Sequence, residues 1–236
     1  MEKQRKALKS AFPVTIPVMT GYLFIGMAFG MLMASKGYSF IWSILMSVFV
    51  YAGSMQFVAT NFFAGSFNWI SMIFITFMVN IRHVFYGLSM LTKFKNMNGK
   101  KPYMIFSLTD ETFSLLCSAN APKGVNQNWF LFFIAFLDQI YWVVGSALGG
   151  LIGSLVPFST KGIDFAMTAL FVVIFVEQWQ SCEHHISAVT GVLASVLCLL
   201  IFGTSNFILP SMIVMVLILT ASYQKPRAES DGEGNV

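Results

Sequence analysis

Eight long apolar stretches follow one another along this chain, with little polar sequence between them. Most are long enough to cross the hydrocarbon core of a membrane, which takes about 20 helical residues. A hydrophobic fraction of 56%, with only 10% charged residues, excludes an ordinary soluble domain. We therefore predict an all-α integral membrane protein. The stretches lie at about 11–35, 39–64, 68–92, 103–118, 129–156, 163–180, 186–204 and 207–222.

Two of these stretches are short for a full crossing, and others contain residues that break helices. The stretches at 103–118 and 207–222 suggest half-helices or re-entrant segments. Pro13 and Pro17 in the first stretch and YAGS at 51–54 in the second favour discontinuous helices. Close packing by small residues is an equally open explanation for YAGS. It is the favoured one for the later glycines, which are Gly145, Gly149, Gly150 and Gly153.

Basic residues collect in three short polar patches, which indicate membrane topology rather than a nucleic-acid partner. The positive-inside rule places all three patches in the cytoplasm. Three simple crossings between the first patch and the second would put these two on opposite sides. We therefore expect one of the first three stretches not to cross, unless the rule misleads here. The patches are Lys3, Arg5, Lys6 and Lys9, then Lys93, Lys95, Lys100 and Lys101, and finally Lys225 and Arg227.

The two halves of the chain match weakly, which predicts a two-fold internal repeat. GMAFG at 26–30 resembles GSALG at 145–149, and FVYAGSMQF at 49–57 aligns with FVVIFVEQW at 171–179. Transporters often contain such repeats and place the substrate site between them. The predicted order is a basic N-terminal tail, a first transmembrane unit, a basic loop with a short helix, a second transmembrane unit and a disordered C-terminal tail. Their ranges are 1–10, 11–92, 93–128, 129–222 and 223–236.

An arginine lies in the middle of the third apolar stretch, in MVNIRHVFYG at 78–87. Arg82 would lie roughly 16–20 Å from either end of a straight helix, too deep to reach the membrane surface easily. An arginine at the membrane centre costs about 2.5–3.5 kcal/mol and points to function. Arg82 either attracts an anionic group of a transported molecule or forms a structural ion pair. Both can apply in turn if the substrate displaces the internal partner. The candidate partners are Asp110, Glu111, Asp138 and Glu177.

The carboxylates in SLTDETFSLL at 107–116 lie at a helix start predicted near Thr109. Ser107 and Asp110 match a capping box loosely, since the box prefers Glu or Gln at its last position. Asp110 and Glu111 either favour the helix N-terminus through its dipole or, if this start is drawn inward, bind an ammonium group or a proton.

Two further carboxylates lie in the second half of the chain. Asp138 should be well inside, where a hydrogen bond with Tyr141 at i, i+3 is the structural alternative to a role in coupling. Glu177 is expected near a membrane interface, yet the repeat aligns its segment with the YAGS break. The same alignment pairs Gln56 with Gln178 as neutral hydrogen-bonding groups.

The sequence carries none of the motifs for ATP hydrolysis or common membrane hydrolases, which are G-x-x-x-x-G-K-[ST], H-E-x-x-H and G-x-S-x-G. Cys117, Cys182 and Cys198 lack metal-ligand spacing, so we interpret them as inert thiols. CEHH at 182–185 has no second ligand cluster, so no metal is expected. An enzyme is the least favoured class, and no cofactor is predicted.

Four sequences in the first half, in order and with plausible spacing, resemble segments of a known family. They are AFPVTIPVMTGYLFIGMAFG at 11–30, FVYAGSMQFVA at 49–59, NIRHVFYGLSM at 80–90 and SLTDETFSL at 107–115. The family is the AzlC family, the large subunits of bacterial branched-chain amino acid exporters. The second half resembles it less sharply, chiefly through FVVIFVEQW at 171–179.

The resemblance implies secondary-active export of branched-chain or other neutral apolar amino acids across the bacterial cytoplasmic membrane by a multi-pass protein. It also implies coupling to the proton gradient and a small membrane subunit of the AzlD type. Two rivals stay open. One is a passive channel for a small neutral solute, which also uses paired half-helices and a positive residue. The other is a structural subunit whose partner carries the substrate.

A zwitterionic substrate needs a cation or helix N-terminus for its carboxylate and an anionic group for its ammonium. Arg82, helped by Asn80 or by the backbone and Ser54 near YAGS, is expected to hold the carboxylate. Asp110 and Glu111 are expected to serve the ammonium or the coupling proton. Further candidates are Asp138 and Glu177 for coupling, and Gln56 and Gln178 for hydrogen bonding to substrate.

Overall fold

The computed structural model describes residues 2–63, 69–155, 165, 168, 172, 175–176, 179–180 and 185–223. These residues form helices and connecting turns without any strand, which confirms the predicted all-α class. The chain divides into two compact units, residues 1–170 and 171–236. The helices of the first unit are α1 (Glu2–Ser35), α2 (Phe40–Phe49), α3 (Gly53–Phe62), α4 (Trp69–Met90), α5 (Lys101–Phe106), α6 (Asp110–Ser118) and α7 (Gln127–Leu155), with a 3₁₀ turn at Asn98–Lys100. Those of the second unit are α8 (Ile186–Asn206) and α9 (Ile208–Tyr223).

Helices α1 and α7 run in the same direction and form the centre of the first unit. Gly26 of α1 faces Gly145 of α7, and one turn further Gly30 faces Gly149. A Cβ atom added at Gly145 would lie 2.8 Å from the Leu23 carbonyl oxygen, so the backbones approach too closely for a larger residue. The predicted packing role is confirmed for all four α7 glycines, which are Gly145, Gly149, Gly150 and Gly153.

The prolines of α1 do not interrupt it. The helix continues through Pro13 and Pro17, so the expectation of a break at these two residues was wrong. Membrane helices tolerate proline where neighbouring groups and small local adjustments satisfy the backbone that it frees. Helix α1 also includes residues 2–10, the range that the sequence assigned to an N-terminal tail, and Ala7 there is buried.

Helices α2 and α3 form a hairpin, because the YAGS sequence interrupts the second apolar stretch. Tyr51 between them has a φ of 41°, in the left-handed region that few residues other than glycine adopt. The outer ends of the hairpin lie together, with the Tyr38 and Phe63 rings 5.2 Å apart. A Cβ atom added at Gly53 would lie only 3.1 Å from the Trp142 ring, so glycine allows the two to pack closely. The YAGS sequence therefore both breaks a helix and allows close packing.

Helices α5 and α6 form a second hairpin. Helix α6 begins at Asp110, and its N-cap Thr109 accepts a hydrogen bond from the Thr112 backbone amide, which confirms the predicted start. The cap is Thr109 and not Ser107, whose hydroxyl donates to the Met104 carbonyl instead. At the other end of α6, the Lys93 ammonium group donates to the carbonyls of Leu116, Cys117 and Ala119.

The two hairpins enter the first unit from opposite ends of α1. The outer end of the α2–α3 hairpin lies beside the end of α1, where the Tyr38 amide bonds to the Met33 carbonyl. The outer end of the second lies beside the segment after α4, where Lys93 donates to the Ala119 carbonyl, and Ala119 shares one buried cluster with Ala7 near the start of α1. Their inner turns meet, with the Tyr51 and Phe106 rings 6.2 Å apart.

This arrangement removes the conflict between the basic patches. Because the α2–α3 hairpin returns to the end from which it started, only α1 and α4 run the full length between the first patch and the second. Both patches therefore lie at the same end of the first unit, around Ala7 of α1 and around Phe94 after α4. The short stretch at 103–118 likewise forms two short helices, α5 and α6, rather than one long helix.

Candidate functional site

Three elements meet around Arg82. Its guanidinium lies 2.9 Å from a carboxylate oxygen of Asp110, the first residue of α6. The same guanidinium donates a hydrogen bond of 2.7 Å to the Ser54 hydroxyl, in the first turn of α3. The inner ends of both hairpins and the middle of α4 are therefore joined by one side chain.

The electrostatics of this pair come from local structure. The N-termini of α3 and α6 both lie here, and a helix N-terminus carries a positive partial charge that favours an anion. Asp110 satisfies this charge at α6, and its second carboxylate oxygen accepts a hydrogen bond of 2.6 Å from Tyr86. The side chains of Arg82 and Asp110 are 26% and 12% exposed, so the pair is mostly, but not fully, covered.

One donor of the arginine is left over. The Arg82 Nε–H is buried and has no hydrogen-bond partner in the part of the chain that the structure describes. An unsatisfied buried donor costs about 1–3 kcal/mol. The site thus has room, in hydrogen-bonding terms, for an additional acceptor.

A second group of polar side chains lies next to this pair. The Tyr22 hydroxyl of α1 donates to Glu111 at 2.8 Å and lies 2.5 Å from the Thr109 hydroxyl. The Thr112 hydroxyl lies 3.0 Å from that of Thr109 and 2.9 Å from a carboxylate oxygen of Asp138. Two carboxyl groups are therefore linked through three hydroxyls.

Asp138 is fully buried, as expected. The structural alternative considered for it, a hydrogen bond with Tyr141, is wrong, because the Tyr141 hydroxyl pairs with Thr15 of α1 and Asp138 accepts from Thr112 of α6. Asp138 and Tyr141 do lie three residues apart on one helix, but each hydrogen-bonds to a side chain of a different neighbouring helix. The second oxygen of Asp138 has no partner among the described residues.

The predicted neutral groups lie in other networks. The Gln56 side chain accepts from the Trp142 indole at 2.8 Å and donates to Ser47 at 3.2 Å, so it ties the first hairpin to α7. Asn80 donates to the Thr76 carbonyl one turn earlier in α4. None of these hydrogen bonds involves Arg82. Gln178 and Glu177 lie outside the described residues, as do Cys182 and the first histidine of CEHH.

Sequence reasoning identified the Ser54 hydroxyl but missed the other hydroxyl groups of the site. Tyr86 had a signal, because it lies four residues after Arg82 and thus on the same face of α4. Thr109 and Thr112 flank the predicted carboxylates, but the sequence indicates only a helix start near Thr109 and gives Thr112 no role. Tyr22 of α1 carried no local signal, since its partner lies 89 residues away. No group of three or more metal-ligating side chains occurs within the described ranges.

Comparisons with known proteins match this region. The family model described as AzlC protein matches residues 17–156, a range that includes Arg82 and both linked carboxyl groups. A Bacillus subtilis protein named branched-chain amino acid transport protein AzlC is 49% identical over 95% of this chain and 88% of its own length. No solved structure matches the chain significantly.

Other relatives are also membrane proteins. An uncharacterized membrane protein of Helicobacter pylori strain J99 is 44% identical over 91% of this chain and 94% of its own length. The inner membrane protein YgaZ of Escherichia coli is 30% identical over 77% of this chain and 78% of its own length. The homology gives this chain a role in membrane transport. It belongs to the AzlC family.

Proposed function

We propose that this chain is the large subunit of a two-subunit, secondary-active exporter of branched-chain or other neutral apolar amino acids. The observation that carries this proposal is the Arg82–Asp110 pair at the meeting point of two broken helices. An amino acid zwitterion carries the same two charges. Its carboxylate can replace Asp110 on Arg82, and its ammonium can replace Arg82 on Asp110.

Three further features support a site for a carboxylate. The unpaired Nε–H of Arg82 offers a donor beside the bond to Ser54, and guanidinium groups bind carboxylates through two parallel hydrogen bonds. The first turns of α3 and α6 add backbone amides of the kind that bind anionic substrate groups in transporters with discontinuous helices. The Bacillus subtilis relative is named a branched-chain amino acid transport protein, and we take the proposed apolar side chain of the substrate from that name.

We place the membrane across the first unit so that α1, α4 and α7 cross it and the two hairpins are re-entrant from opposite sides. Helices α1 and α7 and residues 72–90 of α4 are long and apolar enough for crossing. The end that carries Lys93 and the start of α1 is then cytoplasmic by the positive-inside rule. The bilayer in question is the bacterial cytoplasmic membrane.

The small subunit in this proposal is of the AzlD type. Helix α4 exposes a wide apolar surface that lipid or such a subunit can cover; its exposed side chains include Phe74, Phe77, Val84, Phe85 and Leu88. Asp110, Glu111 and Asp138 are the proposed groups for the ammonium or the coupling proton, together with Glu177.

Efflux from preloaded cells tests the proposal. Cells that express this chain with its neighbouring small subunit are loaded with a labelled mixture of neutral amino acids, and the loss is followed with and without an uncoupler. We expect uncoupler-sensitive loss of leucine, isoleucine, valine or methionine. Loss that runs only down the concentration gradient would indicate a channel instead.

A second arm separates carrier from structural subunit. Each subunit is expressed alone, and this chain is also expressed as Arg82→Gln with the wild-type small subunit. The proposal expects the variant to insert normally and to lose export. Full export by the small subunit alone would assign transport to the partner and overturn the proposal.

A further inference from the structure

The linked carboxyl groups form one continuous hydrogen-bonded chain. It runs from Asp138 through the hydroxyls of Thr112, Thr109 and Tyr22 to Glu111. The successive oxygen–oxygen distances are 2.9, 3.0, 2.5 and 2.8 Å, all within the range of O–H···O hydrogen bonds. Helices α1, α6 and α7 each contribute a member, so the chain depends on how these helices pack.

The number of hydrogens constrains the protonation state of this hydrogen-bonded network. It contains four links, but its three hydroxyls supply only three hydrogens. A fourth hydrogen has to come from one of the two carboxyl groups. With a proton on Asp138, every hydroxyl donates toward Glu111. With a proton on Glu111, every hydroxyl donates toward Asp138.

The charges around this hydrogen-bonded network favour one added proton on its two carboxyl groups. Among the described residues, the cation near Glu111 is Arg82, which already pairs with Asp110 at 2.9 Å. The titratable groups near Asp138 on other elements are tyrosines, namely Tyr22, Tyr51 and Tyr103, and Tyr141 lies near it on its own helix α7. Glu111 also faces Asp110. Asp138 is fully buried and Glu111 is partly buried, so two ionised carboxylates here would lack a cation of their own within the described residues, and such charges are costly.

We propose that Glu111 and Asp138 share a single proton and that the hydroxyls of Thr112, Thr109 and Tyr22 relay it between them. In one transfer, the Asp138 proton moves to the Thr112 oxygen as the Thr112 hydrogen moves to Thr109. The Thr109 hydrogen moves to Tyr22, and the Tyr22 hydrogen moves to Glu111. The net change is one proton moved from Asp138 to Glu111, and all three hydroxyls stay neutral.

The relay connects the substrate site to the interior of the helix bundle. Glu111 follows Asp110 directly, whereas Asp138 lies on α7 and is fully buried. A change in charge at the Arg82–Asp110 pair therefore acts on the near end of the relay. This use of the relay for coupling export to a proton gradient rests on the proposed function; the shared proton itself does not.

Infrared spectroscopy of the purified full-length protein in liposomes tests the sharing. Above about pH 6, exposed carboxyl groups are ionised, so a remaining carboxylic-acid C=O band reports a protonated buried group. We expect this band in the wild-type protein and its loss in both Glu111→Gln and Asp138→Asn. Either amide can supply the fourth hydrogen, which leaves the other carboxyl ionised. A band that survives in one of the two variants would assign the proton to a single residue and overturn the sharing.

Variants that keep both carboxyl groups test the relay. Thr112→Val removes one link, whereas Thr112→Ser keeps the hydroxyl. Thr60→Val is a matched control, because Thr60 is buried and, among the described residues, its hydroxyl donates to the Phe57 carbonyl within α3. We expect Thr112→Val to keep substrate exchange between equal pools but to lose export driven by a proton gradient. Thr112→Ser and Thr60→Val should retain both.

The two possible failures are distinguishable. Gradient-driven export that is unchanged in Thr112→Val would overturn the relay, whatever the infrared result. If the protein exports no amino acid, the proposed function fails, but the infrared bands of the wild-type and the two amide variants still decide whether the proton is shared.

Discussion

At the scale of single residues, the ion pair explains how an arginine is tolerated deep in an apolar helix. Arg82 alone would cost about 2.5–3.5 kcal/mol at the membrane centre. Asp110 neutralises it, and Ser54 and Tyr86 satisfy one further hydrogen-bonding group of each partner. Removal of one partner leaves the other charge uncompensated, whereas removal of both partners leaves no uncompensated charge.

A double-mutant cycle on this pair has a clear expected result. Arg82→Gln and Asp110→Asn should each lower the free energy of unfolding by about 1–3 kcal/mol, less than a fully buried pair because Arg82 is partly exposed. The double variant should lose less than the sum of the two. Unfolding in detergent measures all four proteins, and strict additivity would mean that the pair contributes nothing to the fold.

The charged residues of the site and Ser54 could be predicted from the sequence, but its other hydroxyls could not. Arg82, Asp110 and Asp138 stand out because ionisable groups are rare in apolar stretches. Threonine and tyrosine are common in membrane helices, and their partners depend on which helix faces meet. Tyr22 and Thr112 became recognisable only when α1, α6 and α7 were brought together.

At the scale of helices, contact between backbones determines the packing of the first unit. Gly30 of α1 faces the backbone of α7 between Ser146 and Gly150, and an added Cβ there would overlap backbone atoms. Backbone atoms cannot turn aside as a flexible side chain can. The α1–α7 interface therefore depends on glycine at this position.

The variant Gly30→Ala should destabilise the protein by about 1–3 kcal/mol, because the new methyl group separates the two helices. Gly21→Ala is the matched control on the same helix, where an added Cβ meets no atom of the described residues within 4 Å. The control should be neutral or stabilising by up to about 1 kcal/mol, since alanine favours helix. Thermal unfolding in detergent compares them, and equal effects would contradict the packing model.

The hairpins were only partly predictable. The second apolar stretch is long enough to read as a crossing, and YAGS alone allowed either a break or close packing. The conflict between basic patches indicated that one early stretch fails to cross, but not which one. The contact between Tyr38 and Phe63, which identifies the hairpin, joins two ends that hydropathy cannot relate.

At the scale of the whole molecule, the central structural claim of the first unit is its topology. Each of α1 and α4 is followed by a hairpin, and the two hairpins lie at opposite ends. The predicted repeat of the two halves of the chain stays a prediction, as do the boundaries assigned to its units. The second unit contributes α8 and α9, which pack against each other near Gly191 and Met215.

Cysteine labelling in intact cells tests this topology. In a background without native cysteines, Lys36→Cys after α1 should react with a membrane-impermeant thiol reagent added outside. Lys95→Cys after α4 should react only once the membrane is permeabilised, because α2 and α3 return to one side. Three simple crossings would expose Lys95→Cys to the outside, and external labelling of that variant would disprove the re-entrant hairpin.

The most direct test of the account is the binding of labelled leucine to the reconstituted two-subunit protein, wild type against Arg82→Gln. Leucine amide, which lacks the carboxylate, and 4-methylpentanoate, which lacks the ammonium, serve as competitors. We expect that leucine binds the wild type, that neither single-charge analogue competes as well as leucine, and that Arg82→Gln loses binding. Unchanged leucine binding by a properly inserted Arg82→Gln variant would contradict the assignment of the substrate site to the Arg82–Asp110 pair.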